Sequence, residues 1–84
     1  MPFLILIVGM GRDELKVLGE IIRKKREAQG LTQHELAEKS KLDRNYIGMV
    51  ERGERNPSYL SLQKIANGLC VSVDELLRIW RITY

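Results

Sequence analysis

The side chains best suited to recognising another molecule lie in a short segment near the middle of the chain. Arg44, Asn45, Gly48, Met49 and Arg52 are expected on the outward face of a segment with helical periodicity. Arginine can bond guanine O6 and N7, and asparagine can bond adenine N6 and N7. Because an α-helix fits the major groove of DNA, this face is a candidate for reading base pairs, and Gly48 would let DNA approach the backbone.

Catalytic and metal-binding chemistry has little support in the composition. The chain contains one cysteine, Cys70, and one histidine, His34, so it cannot form an internal disulfide or a Cys/His zinc site. We recognise no paired carboxylates, no nucleophile with its base and no phosphate-binding glycine loop. We therefore expect no enzyme activity, no metal, no cofactor and no small-molecule ligand. The single cysteine favours a reducing, cytoplasmic location.

Length and charge predict one small globular domain. The 84 residues include 14 basic and 11 acidic side chains, which gives a net charge of +3, and 44% of the residues are hydrophobic. This excess of basic residues weakly favours a polyanionic partner. The apolar run at residues 3–8 is far shorter than the roughly 20 residues of a membrane-spanning helix, so we expect no membrane association.

Capping residues and apolar periodicity predict five helices that position these side chains. The expected elements are residues 13–29 capped by Asp13, 33–40 after Thr32, 44–52 after Asp43, a fourth helix after Ser58 and a fifth after Ser72. Only Lys41 and Leu42 lie between the second helix and the cap of the third. Two short helices joined by so tight a turn must cross steeply.

The apolar N-terminal run has two interpretations. Six consecutive apolar residues at 3–8 predict a short β-strand that is buried or pairs with a second copy of the chain. The alternative is that Met10 is the true start and the preceding residues are a mis-assigned leader.

At this point the sequence resembles a known family. The motifs that carry the resemblance are Gly30-Leu31-Thr32-Gln33, Glu35-Leu36-Ala37, Tyr46-Ile47, Glu51-Arg52-Gly53, Asn56-Pro57-Ser58, Leu62, Ile65-Ala66 and residues 71–77. Together they resemble the Cro/phage-repressor (Xre-type) helix-turn-helix family over roughly residues 15–78. Residues 42–47 and Arg55-Asn56 are also similar to controller proteins of restriction-modification systems.

The resemblance implies an all-α, five-helix domain with assigned DNA contacts. Residues 1–12 would be an apolar extension, and residues 13–84 would be the helix-turn-helix domain with a C-terminal dimerisation helix. The resemblance assigns base contacts to Arg44, Asn45 and Met49. It assigns phosphate contacts to Gln33, Tyr46, Arg52, Arg55 and Asn56.

Two further expectations follow from the resemblance. Arg26 and Glu51 would form an ion pair between the first helix and the end of the recognition helix. Lys41 and Cys70 stand where many relatives have glycine, at positions that tend to need positive φ, so the turn at Lys41 is where a departure from the family's shape is expected.

Dimerisation is expected because one recognition helix contacts too few base pairs for a specific site. The predicted interface consists of Leu76, Leu77, Trp80 and Ile82 on the fifth helix, since the apolar groups there exceed what a small domain can cover. The alternative is that Leu76 and Trp80 complete the monomer core.

These observations predict a regulator of transcription. The leading hypothesis is a homodimer that binds double-stranded DNA sequence-specifically at a palindromic operator, and the narrower hypothesis is that it is the controller of a restriction-modification system. The alternative hypothesis is an antitoxin-type or adaptor protein that binds a protein partner through its apolar termini.

Overall fold

The protein is all-α over the residues that can be described. The computed structural model describes the backbone of residues 11–83 and the side chains of residues 11–78. The helices are α1 (Arg12–Ala28), α2 (Gln33–Ser40), α3 (Arg44–Glu51), α4 (Tyr59–Gly68) and α5 (Val73–Thr83). The five predicted helices are thus confirmed. The predicted strand at residues 3–8 lies outside the described residues.

Side-chain caps start most of these helices where the sequence predicts. Thr32 Oγ1 accepts the Glu35 amide at 3.0 Å, and the Glu35 carboxylate accepts the Thr32 amide at 2.8 Å, which completes a capping box before α2. Asp43 accepts the amide of Asn45 at 2.9 Å and caps α3. The caps of α4 and α5 are Ser58, which accepts the Ser61 amide, and Ser72, which accepts the Glu75 amide.

The start of α1 differs from the prediction. Its N-cap is Gly11, and Asp13 lies inside the first turn. The Glu14 carboxylate reaches back to accept the Gly11 amide at 3.3 Å, so the helix begins before Asp13 can cap it. Asp13 is still favourable there, because a negative charge in the first turn complements the helix dipole.

Two turns adopt left-handed backbone conformations without glycine. Lys41, between α2 and α3, has φ 57° and ψ 42°, and Cys70, between α4 and α5, has φ 59°. The backbone at Lys41 therefore takes the positive φ expected of a glycine there. A non-glycine residue in this conformation costs roughly 1–2 kcal/mol.

A single apolar core holds the helices together. α2 packs against α3 and α4, while α1 packs against α3 and α5. The buried apolar side chains are Leu18, Ile22, Leu36, Ala37, Ile47, Val50, Leu62, Ile65, Ala66, Leu69, Val73, Leu76 and Leu77. Ile47 and Val50 of α3 are in this set, so α3 is fixed to the body of the domain along one side.

Helices that could cross a membrane were not found among the described residues.

Candidate nucleic-acid interface

One side of α3 is anchored and the other is open. Ile47 and Val50 are 0% and 2% exposed and fix the helix to the core. Arg44 and Asn45 are exposed at the N-terminal end, and Met49 is half-buried one turn later. The predicted base-reading residues therefore lie on the side of α3 that faces away from the core.

The first turn of α3 meets the start of α2 at a shallow cleft. This feature, called the recognition cleft below, has a volume of about 400 Å³ and is lined by Gln33, Arg44, Asn45, Gly48, Met49 and Arg52. Five of these residues were assigned DNA contacts from the sequence. The remaining three assigned residues, Tyr46, Arg55 and Asn56, do not line it.

Gly48 differs from its sequence interpretation. We expected it to face outward, but it is buried. A Cβ atom placed on Gly48 would lie 3.1 Å from Arg52 Nη1 and 3.5 Å from Gln33 Oε1. The side chains of Arg52 and Gln33 thus cover the glycine and occupy the space where we expected DNA to approach the backbone.

A polar network behind the cleft joins three helices. Arg26 on α1 donates from Nε to Glu51 Oε2 at 2.7 Å and from Nη2 to Glu51 Oε1 at 3.0 Å. Arg26 Nη1 also donates to the carbonyl of Leu31 at 2.8 Å. The Arg26 and Glu51 side chains are only 11% and 2% exposed. This is the ion pair that the resemblance implied, and its hydrogen bonds raise the pKa of Arg26 above its ordinary value.

Gln33 is attached to the same network. Its Nε2 donates to Glu51 Oε1 at 3.0 Å, and its Oε1 lies beside Gly48 in the recognition cleft. One amide hydrogen is therefore used within the protein, while the second hydrogen and the carbonyl oxygen are available to a ligand. This contact could not be predicted from the sequence, because residues 33 and 51 are not related by helical spacing.

Arg52 forms a second arginine–glutamate pair at the protein surface. Its Nε lies 3.0 Å from Glu54 Oε2, and its Nη2 donates to Glu54 Oε1 at 3.1 Å. Both side chains are more than half exposed. The hydrogen bond from Arg52 lowers the pKa of the Glu54 carboxyl below its ordinary value. Sequence reasoning missed this pair, since the chain leaves the helix between the two residues.

Tyr46 and Arg55 contact each other beside the cleft. The Arg55 guanidinium carbon lies 5.5 Å from the centre of the Tyr46 ring, within the range of a cation–π contact. The Tyr46 ring is half-buried and packs against the core. Arg55 and Asn56 are exposed, so this part of the loop after α3 can reach a ligand bound along the helix.

The predicted dimer interface needs correction at two positions. Leu76 and Leu77 are both 0% exposed within the single chain, where they pack in the core between α1, α4 and α5. Their side chains present no surface to a partner. The alternative interpretation, completion of the monomer core, is right for Leu76. The side chains of Trp80 and Ile82 lie outside the described residues.

No metal site is found among the described residues. No group of three or more His, Cys, Asp or Glu side chains is close enough there to hold an ion. His34 is exposed on α2, 3.7 Å from the carboxylate of Glu38.

Comparison with known proteins identifies relatives over most of the chain. The helix-turn-helix family profile matches residues 22–76. Control protein C.SmaI of Serratia marcescens is 45% identical over 65 residues, which are 77% of each chain. The crystal structure of the restriction-modification controller protein C.AhdI of Aeromonas hydrophila is similar with a TM-score of 0.75 and 44% identity. That similarity covers 76% of this chain and 97% of C.AhdI.

One similar structure contains DNA. The restriction-modification controller protein C.Esp1396I, crystallised as a tetramer in complex with its natural 35 base-pair operator, matches with a TM-score of 0.76 and 39% identity. The match covers 82% of this chain and 91% of that one.

Proposed function

We propose that this chain, which belongs to the helix-turn-helix family, is a sequence-specific DNA-binding regulator of transcription. The observation that carries the proposal is the recognition cleft. It places two arginines and an asparagine on the exposed side of α3, whose other side is fixed to the core, and a glutamine of α2 beside them. These are the side chains that read guanine and adenine edges in the major groove.

The assigned contacts separate by their place around the cleft. Arg44 and Asn45, at the exposed N-terminal end of α3, read base edges, and Met49 touches a base methyl or the groove wall. Gln33 begins α2, where the helix N-terminus favours a phosphate group. Phosphate contacts are completed by Tyr46, Arg55 and Asn56 on the neighbouring surface.

Regulation of a restriction-modification system is the specific role we propose. Its support is the similarity to C.SmaI and C.AhdI, each of which the chain matches at more than 40% identity. The operator would then lie beside genes for an endonuclease and a methyltransferase. We place the protein in the cytoplasm and assign it no enzyme activity.

A homodimer is the proposed binding species. One recognition helix contacts only a few base pairs, whereas two copies related by a twofold axis would place their helices about 34 Å apart, one turn of DNA. The proposed interface is the C-terminal part of α5, including Trp80 and Ile82, now without Leu76 and Leu77. Sedimentation at tens of micromolar should show a dimer, and a monomer at that concentration would refute this assignment.

Selection of bound sequences from random duplexes tests the function itself. We expect a palindromic site whose half-sites are separated by about one helical turn. Affinity for that site should fall with rising salt, because phosphate contacts release counterions. Recovery of no common sequence, with equal affinity for all duplexes, would refute sequence-specific recognition.

A further inference from the structure

Arg52 lies in the middle of the outward face of α3. It is the C-cap residue and retains right-handed helical backbone angles, so the phase of the helix still applies to it. At 3.6 residues per turn, Arg52 lies about 80° around the axis from Arg44, with Gly48 and Asn45 at about 40° and 100°. A residue that contacts the DNA backbone would instead lie at the margin of this outward face, where the backbone would pass.

The side chain of Arg52 runs back along the helix into the recognition cleft. Helical side chains point toward the N-terminus and cover the preceding turn. Here Nη1 lies over Gly48, at 3.1 Å from the position that a Cβ would occupy, and Gln33 Oε1 is 3.5 Å from the same point. The guanidinium therefore lies one turn closer to Arg44 than its own Cα does.

Glu54 holds this guanidinium from the side away from Gln33. Its carboxylate engages Nε and Nη2 and lines a neighbouring cleft with Arg12 and Lys16, whereas it does not line the recognition cleft. Both hydrogens of Nη1 and one of Nη2 are left for a ligand, which is enough for a two-bond contact with guanine.

The carboxylate also affects what Arg52 can bind. A phosphate approaching Arg52 would be repelled by the negative charge of Glu54 beside it, whereas the neutral acceptors of a guanine edge carry no such charge. The position of the pair thus favours a base over the DNA backbone as the partner of Arg52.

We propose that Arg52 is a further base-reading residue, specific for guanine, and that Glu54 is the positioning residue that aims it. This assignment replaces the phosphate contact expected for Arg52 from the sequence. It rests on the proposed function, since it requires that α3 enters the major groove. Gly48 belongs to the same arrangement because its missing side chain leaves the space that the guanidinium occupies.

Selection from random duplexes with Arg52→Ala and Arg44→Ala tests the assignment. Arg52→Ala should remove the preference for guanine at one position of each half-site, by roughly 5- to 150-fold, and that position should differ from the one affected by Arg44→Ala. Melting temperatures of both variants should stay near that of the original protein, because both side chains are exposed.

Glu54→Gln tests the positioning role. It should weaken the preference at the Arg52 position by up to about 5-fold, and it should have no further effect when Arg52 is already alanine. Glu38→Gln is the matched control, since Glu38 is an exposed glutamate on α2 whose loss changes the net charge equally. It should leave base preferences unchanged.

Two results would overturn the proposal in different ways. If Arg52→Ala weakens all sequences equally and Glu54→Gln strengthens all of them equally, Arg52 is a phosphate contact and this inference alone is wrong. If the unaltered protein selects no sequence, the proposed function fails and the inference fails with it.

Discussion

Two arginine–glutamate pairs meet at the end of α3, and burial separates their roles. Arg26 and Glu51 are 11% and 2% exposed and join α1 to α3, while Arg52 and Glu54 are 57% and 55% exposed and lie beside the recognition cleft. The chemical groups are the same, and Glu51 and Arg52 are adjacent in sequence. One pair is therefore required for the fold, whereas the other is free to orient a side chain toward a ligand.

Desolvation explains the difference. A buried charge that loses its partner is left in a medium that solvates it poorly, so removal of either member is costly. An exposed charge that loses its partner is solvated by water, and such pairs contribute only about 0–1 kcal/mol. The buried pair is therefore expected to control stability, and the exposed pair is expected to control recognition.

The largest effect is expected from Arg26→Met. It should lower the free energy of unfolding by about 3–5 kcal/mol, because Glu51 stays buried and, among the described residues, keeps only Gln33 as a side-chain hydrogen-bond donor. Base preference should change little. Thermal melts and competition binding measure the two quantities separately.

Two controls sharpen that result. Arg23→Met removes an exposed arginine paired with Glu20 on the same helix and should cost less than about 1 kcal/mol. Arg26→Met combined with Glu51→Met should recover much of the lost stability, since no buried charge remains. An unchanged melting temperature in Arg26→Met would contradict the structural role of the pair.

The same substitution, glycine to alanine, can be compared at two positions: Gly19 of α1, which packs against α3, and Gly48 on the cleft side of α3 itself. A Cβ on Gly19 of α1 would overlap the backbone carbonyls of Val50 and Glu51, which cannot move independently of α3. Gly19→Ala should therefore destabilise the protein by about 1–3 kcal/mol. Chemical unfolding measures the change.

Gly48→Ala is the counterpart on the surface side. The new Cβ would meet the exposed end of Arg52, which can shift, so stability should stay within about 1 kcal/mol of the original value, with any gain due to the higher helix propensity of alanine. Equal destabilisation by the two substitutions would remove the distinction between a rigid interior side and an adaptable surface side.

A smaller change in stability is expected from a substitution in the turn between α2 and α3, which sets the angle of α3. Lys41→Gly relieves a left-handed conformation at a strain of about 1–2 kcal/mol but adds about 0.5–1 kcal/mol of backbone entropy in the unfolded chain, so a net gain of up to about 1.5 kcal/mol is predicted. Lys39→Gly, inside α2, should instead destabilise. A loss of stability in Lys41→Gly would contradict the strain at this position.

The smallest effect concerns the capping box of α2. The hydrogen bond from the Thr32 amide lowers the pKa of Glu35 below its ordinary value of 4.5. The carboxylate thus stabilises the fold at pH values above the unfolded pKa, and this contribution is lost as the pH falls through the lower, folded pKa. Unfolding of the original protein and of Glu35→Gln should show a difference that changes between pH 5 and pH 3 and is constant from pH 6 to 7. A difference that is the same at every pH would contradict a stabilising role for the ionised carboxylate of Glu35.

Local patterns made most of the fold predictable. The caps at Thr32, Asp43 and Ser58 act within three residues, so the starts of α2, α3 and α4 follow from the sequence alone. The same holds for the outward placement of Arg44 and Asn45, which depends only on helical periodicity.

Contacts between elements were less predictable. The sequence alone does not distinguish an apolar helix face covered by its own core from one covered by a partner, which is why Leu76 and Leu77 were wrongly assigned to the interface. The Arg52–Glu54 pair depends on how the chain turns after α3, and the covering of Gly48 depends on the rotamer of Arg52. None of these leaves a periodic signal.

Base preference after Arg44→Ala is the most direct test of whether the open side of α3 reads DNA. Sites selected by the variant should match those of the original protein except at one symmetric position, where discrimination should fall by about 1–3 kcal/mol. A uniform loss of affinity, with every base preference retained, would show that Arg44 does not read a base and would contradict base recognition by the open side of α3.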